Sequence, residues 1–172
     1  AGENVILGNI RKFYGTIHTG ICKVFDYAAG STGMSEYKAK KFGFEVESVI
    51  IAGLDKPGFM KGKLLISKAT VDKKTKKLIG FQCIGAGDVS KQIAQAAIAI
   101  TGKLTLAELV NLDLPYAPPF SLAIDNFIAC CHTLENKMNG LFKGISSFEV
   151  YEKVRKKEDV FYLDVRTAQE FE

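Results

Sequence analysis

Residues 112–121, LDLPYAPPFS, set one tyrosine among three prolines. Pyrrolidine rings fix φ and remove backbone donors, so this stretch is predicted to be stiff and extended. The Tyr116 phenol can donate or accept one hydrogen bond. On the residues alone two readings stand. Either the ring packs under the helix that follows with its hydroxyl on backbone, or it is a positioned donor for a ligand.

The other chemistry-bearing residues are sparse. Cys22, Cys83, Cys130 and Cys131 form no C-x-x-C and no zinc spacing. They read as small buried hydrophobes in a reducing compartment, with a redox pair as the alternative. Cys130 and Cys131 are adjacent on a predicted helix and are expected on different faces. His18 and His132 lie far apart with no evident carboxylate partner. The run GAGD at 85–88 lacks the third glycine and the βαβ setting of a dinucleotide cradle, so it reads as a turn that opens a helix. No P-loop, nucleophile elbow or paired-carboxylate motif occurs. A self-sufficient catalytic centre is not expected on this chain, and neither a metal nor a cofactor site is predicted in it.

Composition narrows the classes further. The chain has 172 residues, 47% hydrophobic and 24% charged, which fits one globular domain and a remainder. The net charge of +4 is mild, and the one dense basic run, DKKTKK at 72–77, falls between two alternating apolar segments. It reads as a solvated hairpin turn, and no nucleic-acid partner is expected. No apolar run approaches a membrane span, and the first residues lack a signal peptide's order, so a cytoplasmic protein without a membrane partner is expected. Neither end carries a start or stop feature, so the chain reads as an excerpt of a longer polypeptide.

The elements that must hold Tyr116 follow from periodicity. Residues 19–30 alternate and predict one strand with both faces covered. Ser35 caps a short helix through Lys41, closed by Gly43. Residues 44–53 form a strand, and 62–71 with 77–85 form an antiparallel hairpin, with Ile79, Phe81 and Cys83 on one face. From Gly85 the period changes to 3.6. Asp88 or Ser90 caps a helix with an Ile93, Ala97, Ile100 stripe, which stops at Gly102. Thr105 and Glu108 make a capping box. After the prolines, Ile124, Ile128, Cys131, Leu134 and Met138 repeat at helical spacing up to Gly140. Ser146 and Glu149 make a second capping box, and 159–166 reads as a strand. Strands before helices without βαβ alternation predict an α+β fold with a mainly antiparallel sheet, followed by the start of a separate α/β element.

The segments GTIHTGICKVFDYAAGSTGMSEYKAKKFGF and KATVDKKTKKLIGFQCIGAGDVSKQIAQAAIAITGKLTLAELVNLDLPYAPPFSLAIDN resemble the C-terminal dimerisation domain of the pyridine nucleotide-disulfide oxidoreductases. The likeness is to the coenzyme A-disulfide reductase and NADH oxidase/peroxidase branch, over about residues 8–140. VFYLDVRTAQEFE resembles the first strand and turn of a rhodanese domain. The resemblance implies three parts: 1–15 as the end of a flavin domain and linker, 16–140 as the dimerisation domain, and 141–172 as linker, first helix and first strand of a rhodanese-like domain.

It further implies a parent enzyme using FAD and NAD(P)H, with the redox cysteine and both nucleotide sites outside this chain. A homodimer would form through 16–140, using the helices around 88–111 and the sheet face opposite them. The fragment alone is expected to be inactive and to hold no cofactor. Tyr116 matches a tyrosine that faces the other subunit's reactive thiol. Phe59 stands where relatives acting on coenzyme A disulfide often have a second tyrosine. Lys56, Lys61, Pro118 and Phe120 are the remaining expected substrate-lining residues, the two lysines either meeting phosphates or simply solvated. At 125–126 the chain has Asp-Asn where many relatives have Asp-Pro; Asn126 is read as letting the helix continue without losing a donor. The oxidant stays open: coenzyme A disulfide, a persulfide, a polysulfide, oxygen or peroxide. Two alternatives also stay open: a non-catalytic binding or scaffold module, and the leading part of a rhodanese sulfurtransferase.

Overall fold

The computed structural model describes residues 2–171. In chain order the elements are α1 (Gly2–Leu7), β1 (Gly20–Val24), β2 (Tyr27–Gly33), α2 (Glu36–Lys41), β3 (Val46–Leu54), a 3-10 turn (Gly58–Met60), β4 (Leu64–Asp72), β5 (Leu78–Gly85), α3 (Val89–Thr101), α4 (Leu106–Leu109), α5 (Asn126–Met138), α6 (Ser147–Arg155) and α7 (Ala168–Phe171). The strands form one sheet in the order β1-β2-β5-β4-β3, with every neighbouring pair antiparallel. The α+β architecture is therefore the expected one. One compact unit runs to Phe142, and a second begins at Lys143.

Period two divides the sheet into faces. On one face, Leu65, Ala69, Phe81 and Cys83 are buried beneath α3 and α5 with Ile93, Ala96, Phe127, Cys130 and Leu134. Phe81 and Phe127 meet edge to face, centroids 5.3 Å apart, and join sheet to helix. Gly30 lets α3 lie close, since a Cβ there would be 2.6 Å from Ile93 Cγ1.

Three local expectations are corrected. Residues 19–30 are not one strand but part of a hairpin, β1 and β2, closed between Val24 and Tyr27. Phe25 supplies the positive φ, 52°, that the turn needs, a conformation uncommon for a bulky residue, which is why alternation read straight through it. The strand's faces are also not both covered, for β1 is exposed along its length. In α3 the buried set is Val89, Gln92, Ile93, Ala96 and Ala99, so the stripe sits about one residue away from the predicted one and includes a polar side chain. Cys130 and Cys131 are both fully buried, as expected of small hydrophobes on different faces, because α5 packs against β3 and β4 and also against α3 and α4. Residues 159–166 form no strand; an extended segment becomes a strand only by pairing, and no described residues pair with it.

Other local readings match. Ser35 Oγ accepts from Lys38 N–H and caps α2. Asp88 rather than Ser90 caps α3, accepting from Lys91 N–H. Both capping boxes, Thr105–Glu108 and Ser146–Glu149, are present. The basic run is an exposed turn in which Asp72 accepts from Thr75 Oγ1 and N–H. Among the described residues no helix is long and apolar enough to cross a membrane.

Candidate functional site

The proline arm between α4 and α5 is anchored at both ends. Leu114 packs against the core, and Ser121 is buried. Between them Phe120 and Ser121 N–H both donate to the Ala117 carbonyl and close a turn directly after Tyr116. The Tyr116 side chain points away from the interior. It is 54% exposed, and its hydroxyl has no hydrogen-bond partner among the described residues. The packed arrangement with the hydroxyl on backbone is thus not the one adopted within this chain.

What fixes the far end of the arm is a buried polar cluster at the starts of α3 and α5. Asp125 is 5% exposed. Its carboxylate accepts from Lys91 Nζ (2.9 Å), Ser121 Oγ (3.0 Å), Gln92 Nε2 (2.9 Å) and Phe127 N–H (3.0 Å). Lys91 Nζ also donates to the Phe120 carbonyl at 3.1 Å. Burial would push the Asp125 carboxyl up, but the Lys91 ammonium, the Phe127 N–H and the Gln92 amide hold it below the usual aspartate value. A charged cluster of this kind is tolerated inside because each lone pair of the carboxylate has a donor.

A second loop, 53–62, is tied to the same two helix starts. Asp55 is buried and accepts from Lys63 N–H (2.7 Å) and Asp88 N–H (3.1 Å). Asn126 Nδ2 donates to the Leu54 carbonyl at 2.6 Å. Asn126 therefore does more than extend the helix: its side chain straps α5 to the loop, a contact that proline could not make. Gly62 closes the loop where a Cβ would be 1.9 Å from the Lys56 carbonyl. This loop carries Phe59 and Lys61 exposed and Lys56 half-buried, and neither lysine forms an ion pair with a described residue. On the arm, Pro118 is half-buried and Phe120 exposed. Each expected lining residue thus sits on one of two loops that share anchors on α3 and α5.

Asp55 also decides the reading of GAGD. A Cβ on Gly87 would be 2.7 Å from Asp55 Oδ2, and that oxygen already accepts the Asp88 N–H. A carboxylate fills the place a phosphate would need, so this turn does not fit the phosphates of FAD or NAD(P)H. The three buried thiols are poorly placed for nucleophilic chemistry. Burial raises Cys83, Cys131 and Cys130, the last to about 12, so all three stay protonated. Cys22 departs from the expectation of a buried hydrophobe, because it is exposed on β1. Among the described residues no three His, Cys, Asp or Glu side chains gather as metal ligands.

The face of the sheet opposite the helices is open. Register aligns Cys22, Ala29, Ile84, Ile66 and Ala52 in one row across all five strands. Val24, Tyr27, Leu64 and Ile50 flank that row, and Ile50, Ile66 and Ile84 are exposed. These residues make an apolar surface that no described residue covers.

Sequence reasoning found Tyr116 from the prolines but did not find the Asp125 cluster or Asp55. The available signal was an acid immediately before the apolar run of α5, which identifies a helix cap; its other partners lie far along the chain.

Residues 19–127 match the family described as pyridine nucleotide-disulphide oxidoreductase, dimerisation domain. The chain is 35% identical over 136 residues to the NAD(P)H sulfur oxidoreductase (CoA-dependent) of Pyrococcus furiosus, covering 78% of this chain and 30% of that protein. It is 26% identical over 119 residues to the coenzyme A disulfide reductase of Staphylococcus aureus, covering 69% and 27% respectively. Its fold superposes on the NAD-dependent persulfide reductase from A. fulgidus with a TM-score of 0.82 and 40% identity, covering 86% of this chain and 28% of that one. The chain therefore spans about 30% of the length of the first of these relatives.

Proposed function

Because the chain belongs to the pyridine nucleotide-disulphide oxidoreductase dimerisation-domain family, we propose that residues 16–140 pair two subunits of a cytoplasmic flavoenzyme. The enzyme is of the coenzyme A-disulfide reductase, persulfide reductase or NADH oxidase type, and the domain completes its neighbour's active site. Names of its relatives support the chemistry: one reduces sulfur with NAD(P)H and another reduces coenzyme A disulfide. The parent's FAD and NAD(P)H, held outside this chain, supply the two electrons that reduce the disulfide or other oxidant.

The observation that carries this reading is Tyr116, outward-facing and without a hydroxyl partner on an arm braced at both ends. In the partner's site the phenol O–H donates to the sulfur that gains negative charge as its S–S bond breaks. A donor held in place before reaction stabilises that charge without reorganisation. Phe120 and Pro118 on the arm, with Phe59, Lys56 and Lys61 on the neighbouring loop, line the approach. Phe59 offers a ring without a hydroxyl, so the chain brings one phenol to the thiol. The open sheet face, together with α3 and α4, packs against the second subunit.

Tyr116→Phe in the full-length enzyme tests the reading. Loss of one positioned hydrogen bond is expected to slow disulfide reduction roughly ten- to hundredfold. Flavin content and the dimer measured by light scattering are expected to stay intact. Unchanged turnover on coenzyme A disulfide, persulfide and polysulfide alike removes Tyr116 from the mechanism.

A further part of the reading concerns residues 141–172 as the start of a rhodanese-like domain. In α6, Phe148, Tyr151 and Val154 are exposed on a helix held by a good capping box, and Phe161, Leu163 and Val165 are exposed on the extended segment after it. Apolar side chains at these spacings suit a helix and a strand that join a larger sheet. Sequencing the gene beyond residue 172 tests this, and the absence of a downstream cysteine loop rules out a sulfurtransferase.

A further inference from the structure

We infer that Asp125 is the positioning residue for Tyr116: it acts through Lys91 and Ser121 to set where the proline arm holds the phenol. The inference rests on the reading of Tyr116 given above and extends it to the residues that make the tyrosine's placement accurate.

The chain of contacts is short and continuous. Asp125 Oδ2 accepts from Ser121 Oγ at 3.0 Å and from Lys91 Nζ at 2.9 Å. Lys91 Nζ in turn holds the Phe120 carbonyl at 3.1 Å. Both Phe120 and Ser121 N–H return to the Ala117 carbonyl, at 2.9 and 3.1 Å, and Ala117 is bonded directly to Tyr116. One buried carboxylate thus holds two adjacent residues of the arm, one through its side chain and one through its backbone. Proline restricts the remaining freedom on either side, since Pro115 precedes Tyr116 and Pro118 and Pro119 follow Ala117.

Helix capping alone does not account for this cluster. Capping α5 needs only the bond from Phe127 N–H to Asp125 Oδ1. The second oxygen is given wholly to the arm and to Lys91, and Gln92 is buried in α3 with its amide donating to Asp125 at 2.9 Å. Gln92 Oε1 has no hydrogen-bond partner among the described residues. Burying an amide with one oxygen unsatisfied costs stability, and the amide's orientation is fixed by serving the carboxylate. Burying an aspartate against a half-buried lysine is in general a poor route to stability, whereas fixing a unique geometry is a better-attested use of such a pair. Catalytic geometry rewards that use, because a displacement of about 1 Å can cost on the order of a hundredfold in rate.

The test uses the full-length flavoenzyme and compares Asp125→Asn, Tyr116→Phe and the double variant. Asp125→Asn is expected to lower kcat for disulfide reduction about tenfold. KM for NAD(P)H, the rate of flavin reduction by NAD(P)H, flavin content and dimerisation are expected to be unchanged, which a general structural defect would not allow. The double variant is expected to be no slower than Tyr116→Phe alone, because a misplaced phenylalanine has no hydroxyl left to misplace. Lys91→Gln and Ser121→Ala, milder changes to the same cluster, are expected to lower kcat in the same direction and by less.

Should Asp125→Asn fail to fold, those two variants carry the test in the same double-variant comparison. If Tyr116→Phe slows turnover but the cluster variants do not, or if their losses multiply with that of Tyr116→Phe, the positioning role is overturned and Tyr116 stands. If Tyr116→Phe itself leaves turnover unchanged, the reading of Tyr116 falls and this inference with it.

Discussion

The two faces of the five-stranded sheet carry similar apolar residues and have different fates. Leu65 and Ala69 on β4 and Phe81 on β5 lie under α3 and α5, while Ile66 on β4, Ile84 on β5 and Ile50 on neighbouring β3 are exposed. One-sided burial in an antiparallel sheet ordinarily yields apolar-in, polar-out alternation. Here β4 and β5 place isoleucine on the outward side as well, so period two survives in geometry but not in hydropathy. The difference teaches that an apolar outward face need not be covered by its own chain, and this chain belongs to a dimerisation-domain family.

Substitutions can separate the faces. The largest loss of fold stability is expected on the covered side. Phe81→Ala removes the ring that meets Phe127 and is expected to cost about 3–5 kcal/mol in urea unfolding. A cost below about 1 kcal/mol would mean that the helix layer is loosely packed.

On the open side the effect moves from folding to assembly. Ile66→Asp with Ile84→Asp is expected to weaken the dimer of the full-length protein by roughly 2 kcal/mol or more per side chain, seen as a concentration-dependent shift to monomer in light scattering. A dimer unaffected by both charges would assign this face to some other contact.

Between these lies the polar seam. The folded Asp125 carboxyl titrates below its unfolded value, so its contribution is present above the unfolded pKa and is lost as pH falls through the folded one. Asp125→Asn is expected to destabilise by about 1–3 kcal/mol at neutral pH, with the gap to the parent protein closing below about pH 4. A pH-independent difference would show that shape rather than charge is lost. The smallest effect on folding is expected from Ile50→Lys, exposed on the edge strand β3, whose unfolding free energy should change by no more than about 0.5 kcal/mol.

The sequence made the helix caps legible because each is a local pattern: Ser35, Asp88, Thr105 with Glu108, and Ser146 with Glu149 all bond within four residues. The stiffness of the segment holding Tyr116 was legible for the same reason, since its prolines are neighbours, whereas the role expected of the tyrosine came from the family resemblance. The hairpin of β1 and β2 was not, because its turn uses Phe25 and Asp26 rather than a glycine or asparagine pair, and alternation continues across it. The segment 159–166 shows the converse failure, where a strand-like composition is present but no described partner pairs with it. The anchors of the site were hidden by distance along the chain. Gln92 meets Asp125 across 33 positions and Asp55 meets Asp88 across 33, whereas Leu54 meets Asn126 across 72. Nothing in local periodicity reports such pairs.

That separation has a kinetic consequence. Contacts between distant positions form only after the loop between them has closed, so the lock on the proline arm must follow the docking of α3 and α5. The Gln92 and Lys91 contacts to Asp125 are therefore expected to form only once α5 meets α3. Pulse-labelled amide exchange should find the Ala117–Ser121 turn protected later than the β4–β5 ladder, so that the arm sets after the sheet.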